Sequence, residues 1–226
     1  LRPNGTLAVD FTSRNSNLDH SQFGAQRTKD AICDQFIRIK GERPSVDLKR
    51  PDLRIHVHAE GTLASVSIDL AGDGLHRRAY RRFAGDAPLK ENLAAGILAL
   101  CGWNEMTREV PAEGGVGLVD PFCGSGTFAV EAALMALDFA PSLMRDYFGF
   151  KGWLKHQPDI WQRLCREADT RWRAGVERWK GKLMIHSSDI EARASGAANR
   201  NAESLPPEIQ SYFRWRTRDF KNAVPP

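Results

Sequence analysis

The sequence predicts an α/β chain, in which a doubly wound and mostly parallel sheet follows a small α+β module. Three observations carry that prediction. Residues 115–120, GVGLVD, form a nearly continuous apolar run, the pattern of a parallel strand buried on both faces. The run ends on an acid and passes through PFCGSG into an apolar helical stretch of about 14 residues, TFAVEAALMALDFA. Strand followed by helix then recurs at LMIHSSD (183–189) and IEARASGAANRNAE, with a third strand expected at YFRWRTRD (212–219).

The N-terminal residues read differently. TLAVDFT (6–12) alternates well enough for a short strand, and the polar SRNSNLDHS that follows is a turn. From Gln22 to Lys40, Ala25, Ile32, Phe36 and Ile39 recur at helical spacing, and Gly41 closes the run. A hairpin follows. Leu53, Ile55, Val57 and Ala59 face one way on its first strand, and Ala64, Val66, Ile68 and Leu70 match them on its second, with Gly61-Thr62 as the turn. Residues 1–80 therefore form a module with one sheet face covered. So small a sheet with a single helix is expected to be completed by residues upstream.

A bridge spans 81–110. Its helix is expected to start near Pro88, because proline suits a first turn, and to run through Leu93, Ile97 and Leu100 to Gly102. Residues 111–226 hold the parallel sheet, interrupted by a helical insertion at 141–181 with Trp153, Trp161, Trp172 and Trp179 among Arg and Lys. Tryptophans beside arginines can stack on bases. The rhythm of Trp161, Leu164, Ala168, Trp172 and Val176 favours a core stripe instead. Three strands would leave a hydrophobic edge, so the sheet is expected to continue past Pro226.

Composition narrows the class. With 42% hydrophobic and 27% charged residues the chain suits a soluble globular protein. No apolar run reaches the ~18–20 residues of a membrane span and the first residues show no signal-peptide pattern, so a cytoplasmic protein is expected. The cysteines at 33, 101, 123 and 165 form no CxxC pair, which predicts reduced thiols and no metal site. His56 and His58 share a strand face that reads as solvated. Residues 1–85 carry 14 Lys/Arg against 10 Asp/Glu, whereas 86–226 carry 18 of each. The surplus sits in the first third, with Arg77, Arg78, Arg81 and Arg82 as its densest cluster, a modest attraction for a polyanion.

A strand, a glycine turn and a helix make a site for a nucleotide-type cofactor. Gly124 and Gly126 permit turn angles barred to other residues and close approach of a ligand. The helix N-terminus adds unpaired N–H groups. A Walker loop needs a lysine that does not follow Gly126, and Ser125 stands one register off the GxSxG of a hydrolase elbow. A dinucleotide fingerprint survives as the weaker option, with Ala129 in place of its third glycine. Asp120, Asp189 and Asp219 each end a strand. An acid after the second strand can accept from ribose hydroxyls, and one after the third from an adenine amine. Asp120 would repel a pyrophosphate but favour a sulfonium and an amino group, so the set fits S-adenosylmethionine better than NAD. Cys123 as a nucleophile lacks a histidine nearby in sequence.

DPFCGSGTFAVEAALMA (120–136) resembles the first motif of the large-subunit ribosomal RNA guanine-N2 methyltransferases, which join a THUMP domain to a Rossmann-like methyltransferase domain. FGAQRTKDAICDQF, SIDLAGDGLHRRAYR and APLKENLAAGIL resemble the end of the THUMP module and the bridge; FGFKGWLKHQPDIWQRL resembles the insertion and SSDIEARASGAANRNAE the second motif. The resemblance covers nearly the whole chain. It implies a partial class I methyltransferase sheet after a THUMP-like module, and methylation of a guanine N2 amine in 23S ribosomal RNA. It further implies that the backbone of Phe122, Cys123, Gly124, Ser125 and Gly126 holds the methionine moiety, with Asp120 near its amino group. Asp189, with Ile190 beside it, would take the ribose, and Asp219 and Phe220 the adenine, while Arg77, Arg78, Arg81 and Arg82 dock RNA. The insertion accounts for the 69 residues from Asp120 to Asp189, against ~20 in a minimal nucleotide-binding unit.

The family's Asn-Pro-Pro-Tyr tetrapeptide, which holds the target amine, is absent: AVPP at the end lacks the Asn and Tyr. A fragment truncated at both ends is therefore expected, which catalyses nothing alone and whose catalytic residues are unassigned. The reaction expected of the family is direct methyl transfer to an aligned amine, on a base extruded at a few kcal/mol. A non-catalytic RNA-binding or assembly protein with a vestigial cofactor fold is the rival reading, and a dehydrogenase is third.

Overall fold

The computed structural model describes residues 1–83, 85 and 87–222, so the terminal AVPP lies outside the described residues. The chain divides into two units: Leu1–Gly74 with Asp146–Ile160, and Leu75–Arg145 with the residues from Trp161 onward.

In the first unit the order is β1 (Thr6–Arg14), α1 (Ser21–Lys40), β2 (Ser45–Val46), β3 (Leu53–Glu60) and β4 (Leu63–Asp69). The sheet order is β2-β1-β3-β4, with β1 parallel to β2 and β3, and β4 antiparallel to β3. The helix α1 crosses between the parallel pair. It ends where expected, on Gly41 at φ 73°, whose N–H bonds the Ile37 carbonyl. Leu7, Val9 and Phe11 pack with Leu53, Ile55, Val57 and Cys33 into this unit's core. The hairpin register sets Ile55 opposite Ile68 and Val57 opposite Val66. Here the expectation of a covered face fails in part: β3 alternates buried and half-buried, but every residue of β4 from Leu63 to Ile68 is exposed. The helix packs on β1 and residues 149–153 pack against β3, leaving the edge strand bare.

The second unit follows with α2 (Glu91–Leu100), α3 (Trp103–Met106), β5 (Val116–Asp120), α4 (Thr127–Ala136), α5 (Pro158–Trp179), β6 (Leu183–Asp189), α6 (Ala192–Ala202), α7 (Pro207–Gln210) and β7 (Phe213–Thr217). Its strands run parallel in the order β5-β6-β7. The helix α4 is buried nearly all round, through Ala129, Val130, Ala132, Ala133 and Leu134, which is why its sequence lacks a polar face. Trp103 donates to the Ala132 carbonyl at 2.9 Å, and Trp172, Trp179, Ile185 and Phe213 complete the core. Of the expected stripe, Trp172 is buried, Trp161, Ala168 and Val176 are half-buried and Leu164 is exposed, while Trp179, outside that rhythm, is fully buried.

Three expectations are corrected. The strand β5 is half-buried along its length, because it sits at an edge of the described sheet rather than inside it. The bridge helix begins at Glu91, not Pro88: Lys90 is extended (ψ 140°), and the Leu89 carbonyl bonds the Arg81 guanidinium. Residues 141–181 are not one insertion, since 146–160 pack within the first unit. There Asp146 takes both Arg50 nitrogens at 2.8 and 3.2 Å, Tyr147 donates to Pro51, and Phe150 N–H bonds Leu70. Gly149 and Gly152 abut the Asp69 and Asp52 backbones too closely for any side chain.

Among the described residues no helix is long and apolar enough to cross a membrane, and no group of three or more His, Cys, Asp and Glu could hold a metal ion.

Candidate functional site

The parallel register brings the ends of β5, β6 and β7 to one edge of the sheet, with Asp120 opposite Ser187 and Asp189 opposite Thr217. Two backbone bonds cross between the first two strand ends: Cys123 N–H to the Ser188 carbonyl and Gly124 N–H to an Asp189 carboxylate oxygen, both at 2.9 Å. The other Asp189 oxygen accepts from Glu191 N–H at 3.0 Å. One carboxylate therefore fixes both the glycine turn and the start of α6. The third strand end joins through aromatic contact, with the Phe220 and Phe122 rings 5.2 Å apart. Asp219 accepts from Lys221 N–H in the turn after β7.

A cavity of about 420 Å³ opens beside this turn. Of the residues singled out from sequence, Phe122, Cys123, Gly124, Ser125 and Asp189 line it. Asp120, Gly126, Ile190, Asp219 and Phe220 do not, though Phe122, Ile190 and Phe220 are each at least half-exposed.

The two glycines do different work. A side-chain carbon on Gly124 (φ 52°) would meet nothing within 4 Å, so this position faces open space. One on Gly126 (φ 83°) would lie 3.0 Å from Ala198 and from Trp215. Gly126 thus serves the packing of the turn against α6 and β7, and the ligand-approach reading holds for Gly124 alone.

Asp120 is the least satisfied acid. One oxygen accepts from Phe122 N–H at 3.1 Å, while the other is buried without a hydrogen-bond partner among the described residues. Burial pushes its carboxyl above the usual range; the Phe122 N–H opposes this and Asp189 adds to it. Burial, with Asp120 and Asp189 behind it, also lifts the Cys123 thiol to about 12, which keeps it protonated and rules out a thiolate at neutral pH. A carboxylate in such surroundings is stabilised by a cation or a donor brought to it.

Sequence reasoning missed two thirds of the cavity wall. Gly85, Ala87, Pro88 and Leu89 of the bridge line it, with Thr127 and Phe128 of α4 and with Glu191, Arg193, Ala194 and Ala197 around α6. The proline before a helix was legible, but not that the residues around it fold over the turn.

The basic cluster also divides. Arg77 and Arg82 are exposed. Arg78 turns inward to Glu131 at 3.4 Å, in a group where the Tyr80 hydroxyl donates to the same carboxylate at 3.0 Å. Arg81 turns inward to Glu91, the Leu89 carbonyl and Thr127 Oγ1. The sequence reading gave all four to RNA; two are internal struts, because their acidic partners are supplied from α2 and α4.

Comparison with known proteins matches the chain in two parts. Residues 78–223 match the family profile described as RMKL-like, methyltransferase domain, and residues 1–69 match the THUMP domain. The chain is 52% identical over 201 residues to the ribosomal RNA large subunit methyltransferase K/L of Methylococcus capsulatus, covering 89% of this chain and 26% of that protein. It is 48% identical over 221 residues to the same-named protein of Syntrophotalea carbinolica, covering 98% and 30%. The chain therefore spans less than a third of the length of these relatives. The crystal structure of SMU.472 complexed with SAH superposes with a TM-score of 0.77 at 26% identity, covering 99% of this chain and 55% of that one.

Proposed function

The chain belongs to the RMKL-like methyltransferase domain family, and on that premise we propose that it supplies the cofactor-binding and RNA-docking parts of an S-adenosylmethionine-dependent ribosomal RNA methyltransferase. The target in this reading is a guanine N2 amine of 23S RNA, in the large subunit or its precursor, in the cytoplasm. One observation carries the cofactor assignment: the half-buried Asp120 keeps one buried carboxylate oxygen without a hydrogen-bond partner among the described residues, beside a turn held open at Gly124. A pyrophosphate would be repelled there, which disfavours a dinucleotide.

The residues present fit the cofactor. Asp120 would hold its amino group, the backbone from Phe122 to Ser125 its methionine part, and Asp189, with Ile190 beside it, the ribose hydroxyls. Asp189 has lone pairs left for that task, because each of its oxygens accepts one backbone N–H. Asp219 and Phe220 would hold the adenine, with Phe220 already placed against Phe122. The bound cofactor supplies an activated sulfonium methyl. The chain's own residues bind it and orient it, and such positioning lowers the barrier to transfer. The exposed Arg77 and Arg82 are assigned to RNA phosphate, whose neutralisation releases counterions.

Ultraviolet cross-linking of methyl-labelled S-adenosylmethionine to the chain tests the assignment. Label is expected on the protein, competed by S-adenosylhomocysteine and not by NADH. Competition by NADH alone would return the dinucleotide reading, and no cross-linking at all would favour a vestigial cofactor fold.

A further inference from the structure

Asn201 is the polar residue most completely enclosed in the second unit, with no exposed surface, on a helix face it shares with Ser195, Ala197, Ala198 and Ala202. Its side-chain amide uses its full bonding capacity on the backbone of two distant segments. The carbonyl oxygen accepts from Arg82 N–H and Phe83 N–H, both at 2.9 Å. The NH₂ group donates to the Phe83 carbonyl at 2.8 Å and to the Ser125 carbonyl at 3.0 Å. Ser125 lies in the glycine turn and Phe83 in the bridge, so one side chain of α6 ties these two together.

The bridge is fastened a second time. Arg81 bonds the Leu89 carbonyl and, at 2.7 Å, Thr127 at the start of α4, while the Arg200 guanidinium lies 4.6 Å from the centre of the Phe83 ring. Gly85, Ala87, Pro88 and Leu89, carried between these fastenings, line the cavity that Phe122–Ser125 also line. A core alanine would fill this position on α6 as well as its neighbours do. A buried amide is costly unless every bond is made, and all four are made to segments that wall the cavity.

We propose that Asn201 is a positioning residue that locks the bridge strap to the glycine turn, so that the two walls of the cofactor cavity hold one spacing. The proposal rests on the cofactor reading above and adds a residue that touches no ligand itself. The lock has two halves. The carbonyl oxygen holds the bridge N–H groups of Arg82 and Phe83, and the NH₂ group joins the Phe83 carbonyl to the turn at Ser125. Asn201→Asp retains the first half and destroys the second, because a carboxylate accepts and cannot donate. Asn201→Ala destroys both.

The experiment uses the 226-residue chain. Hydrogen exchange without ligand is followed on peptides covering 82–83 and 122–127, and S-adenosylhomocysteine affinity is measured by calorimetry. Asn201→Ala is expected to speed exchange in both segments. Asn201→Asp is expected to speed it at 122–127 while 82–83 stay protected. Both are expected to weaken binding about tenfold or more, the factor that an unsatisfied buried polar group implies. Ile209→Val, a buried substitution in α7, serves as a control that loses stability but stays within about twofold in affinity. Exchange that rises at 82–83 alone, with affinity matching the Ile209→Val control, overturns the lock and leaves Asn201 a plain structural residue. If the unaltered chain binds no S-adenosylhomocysteine, the cofactor reading fails instead, and the lock between bridge and turn is decided by the exchange pattern of Asn201→Asp.

Discussion

The Gly124 amide donates to the Asp189 carboxylate at 2.9 Å, across 65 residues of sequence. This bond joins the turn after one parallel strand to the end of its neighbour, and it explains why an acid at the end of β6 matters before any ligand arrives. Asp189 organises the cavity wall as well as facing the cavity.

The Asp120 carboxylate is expected to cost stability for the sake of binding. Its pKa is raised in the fold, so the folded chain holds a proton that the unfolded chain releases in the window from about pH 4 upward. Stability from this group is therefore present at low pH and lost as pH rises through the folded value. Asp120→Asn should raise urea-unfolding stability at neutral pH by about 1 kcal/mol and flatten its dependence on pH. The same variant should bind S-adenosylmethionine more weakly, and tighter binding would count against the role given to this acid.

The two glycines should separate in the laboratory. Gly126→Ala meets Ala198 and Trp215 at 3.0 Å in a left-handed backbone, and should lose about 2–3 kcal/mol on denaturant titration. Gly124→Ala has free space around it and should lose about 1 kcal/mol, the cost of the backbone angle alone. Its effect should appear in cofactor affinity. Equal losses at the two positions would contradict the division drawn here.

The arginines should divide in the same manner. Arg78→Ala strips the cation from the buried Glu131 and should destabilise the second unit by about 3 kcal/mol. Arg77→Ala, on an exposed residue, should leave unfolding unchanged within about 0.5 kcal/mol and weaken RNA binding, with a shallower salt dependence. Filter binding at several salt concentrations, beside thermal melts of both variants, decides the matter.

Cysteine chemistry gives a further check. Cys123 is buried with a thiol pushed up to about 12, whereas Cys101 is exposed. Iodoacetamide near pH 7.5 should modify Cys101 and spare Cys123 in the folded chain, with both reacting in about 6 M guanidinium. Rapid modification of Cys123 in the native chain would mean that the turn is far more open than described.

Much of the cofactor edge was legible because it depends on local pattern. An apolar run ending at Asp120, and the shorter LMI start of the strand that ends at Asp189, place acids at strand ends whatever surrounds them. The hairpin was legible for the same reason, since alternation and a Gly61-Thr62 turn fix its register. What was hidden depends on pairing across the chain. Arg78 and Arg81 look like surface charges until Glu131 and Glu91 are brought beside them. Residues 146–160 look like part of one helical insertion until Asp146 meets Arg50. Asn201 follows Ala-Ala-Asn-Arg on its helix, and its sequence gives no sign that Phe83 and Ser125 converge on it. Gly124 and Gly126 read alike in sequence and differ only in what their missing side chains would strike.

The most direct test is calorimetric titration of S-adenosylhomocysteine into the 226-residue chain and its Asp189→Ala variant. The account predicts a Kd of about micromolar order for the unaltered chain and binding weakened about tenfold or more in the variant, with the fold retained by circular dichroism. Equal affinity in the two proteins, or binding that NADH displaces and S-adenosylmethionine does not, would contradict it.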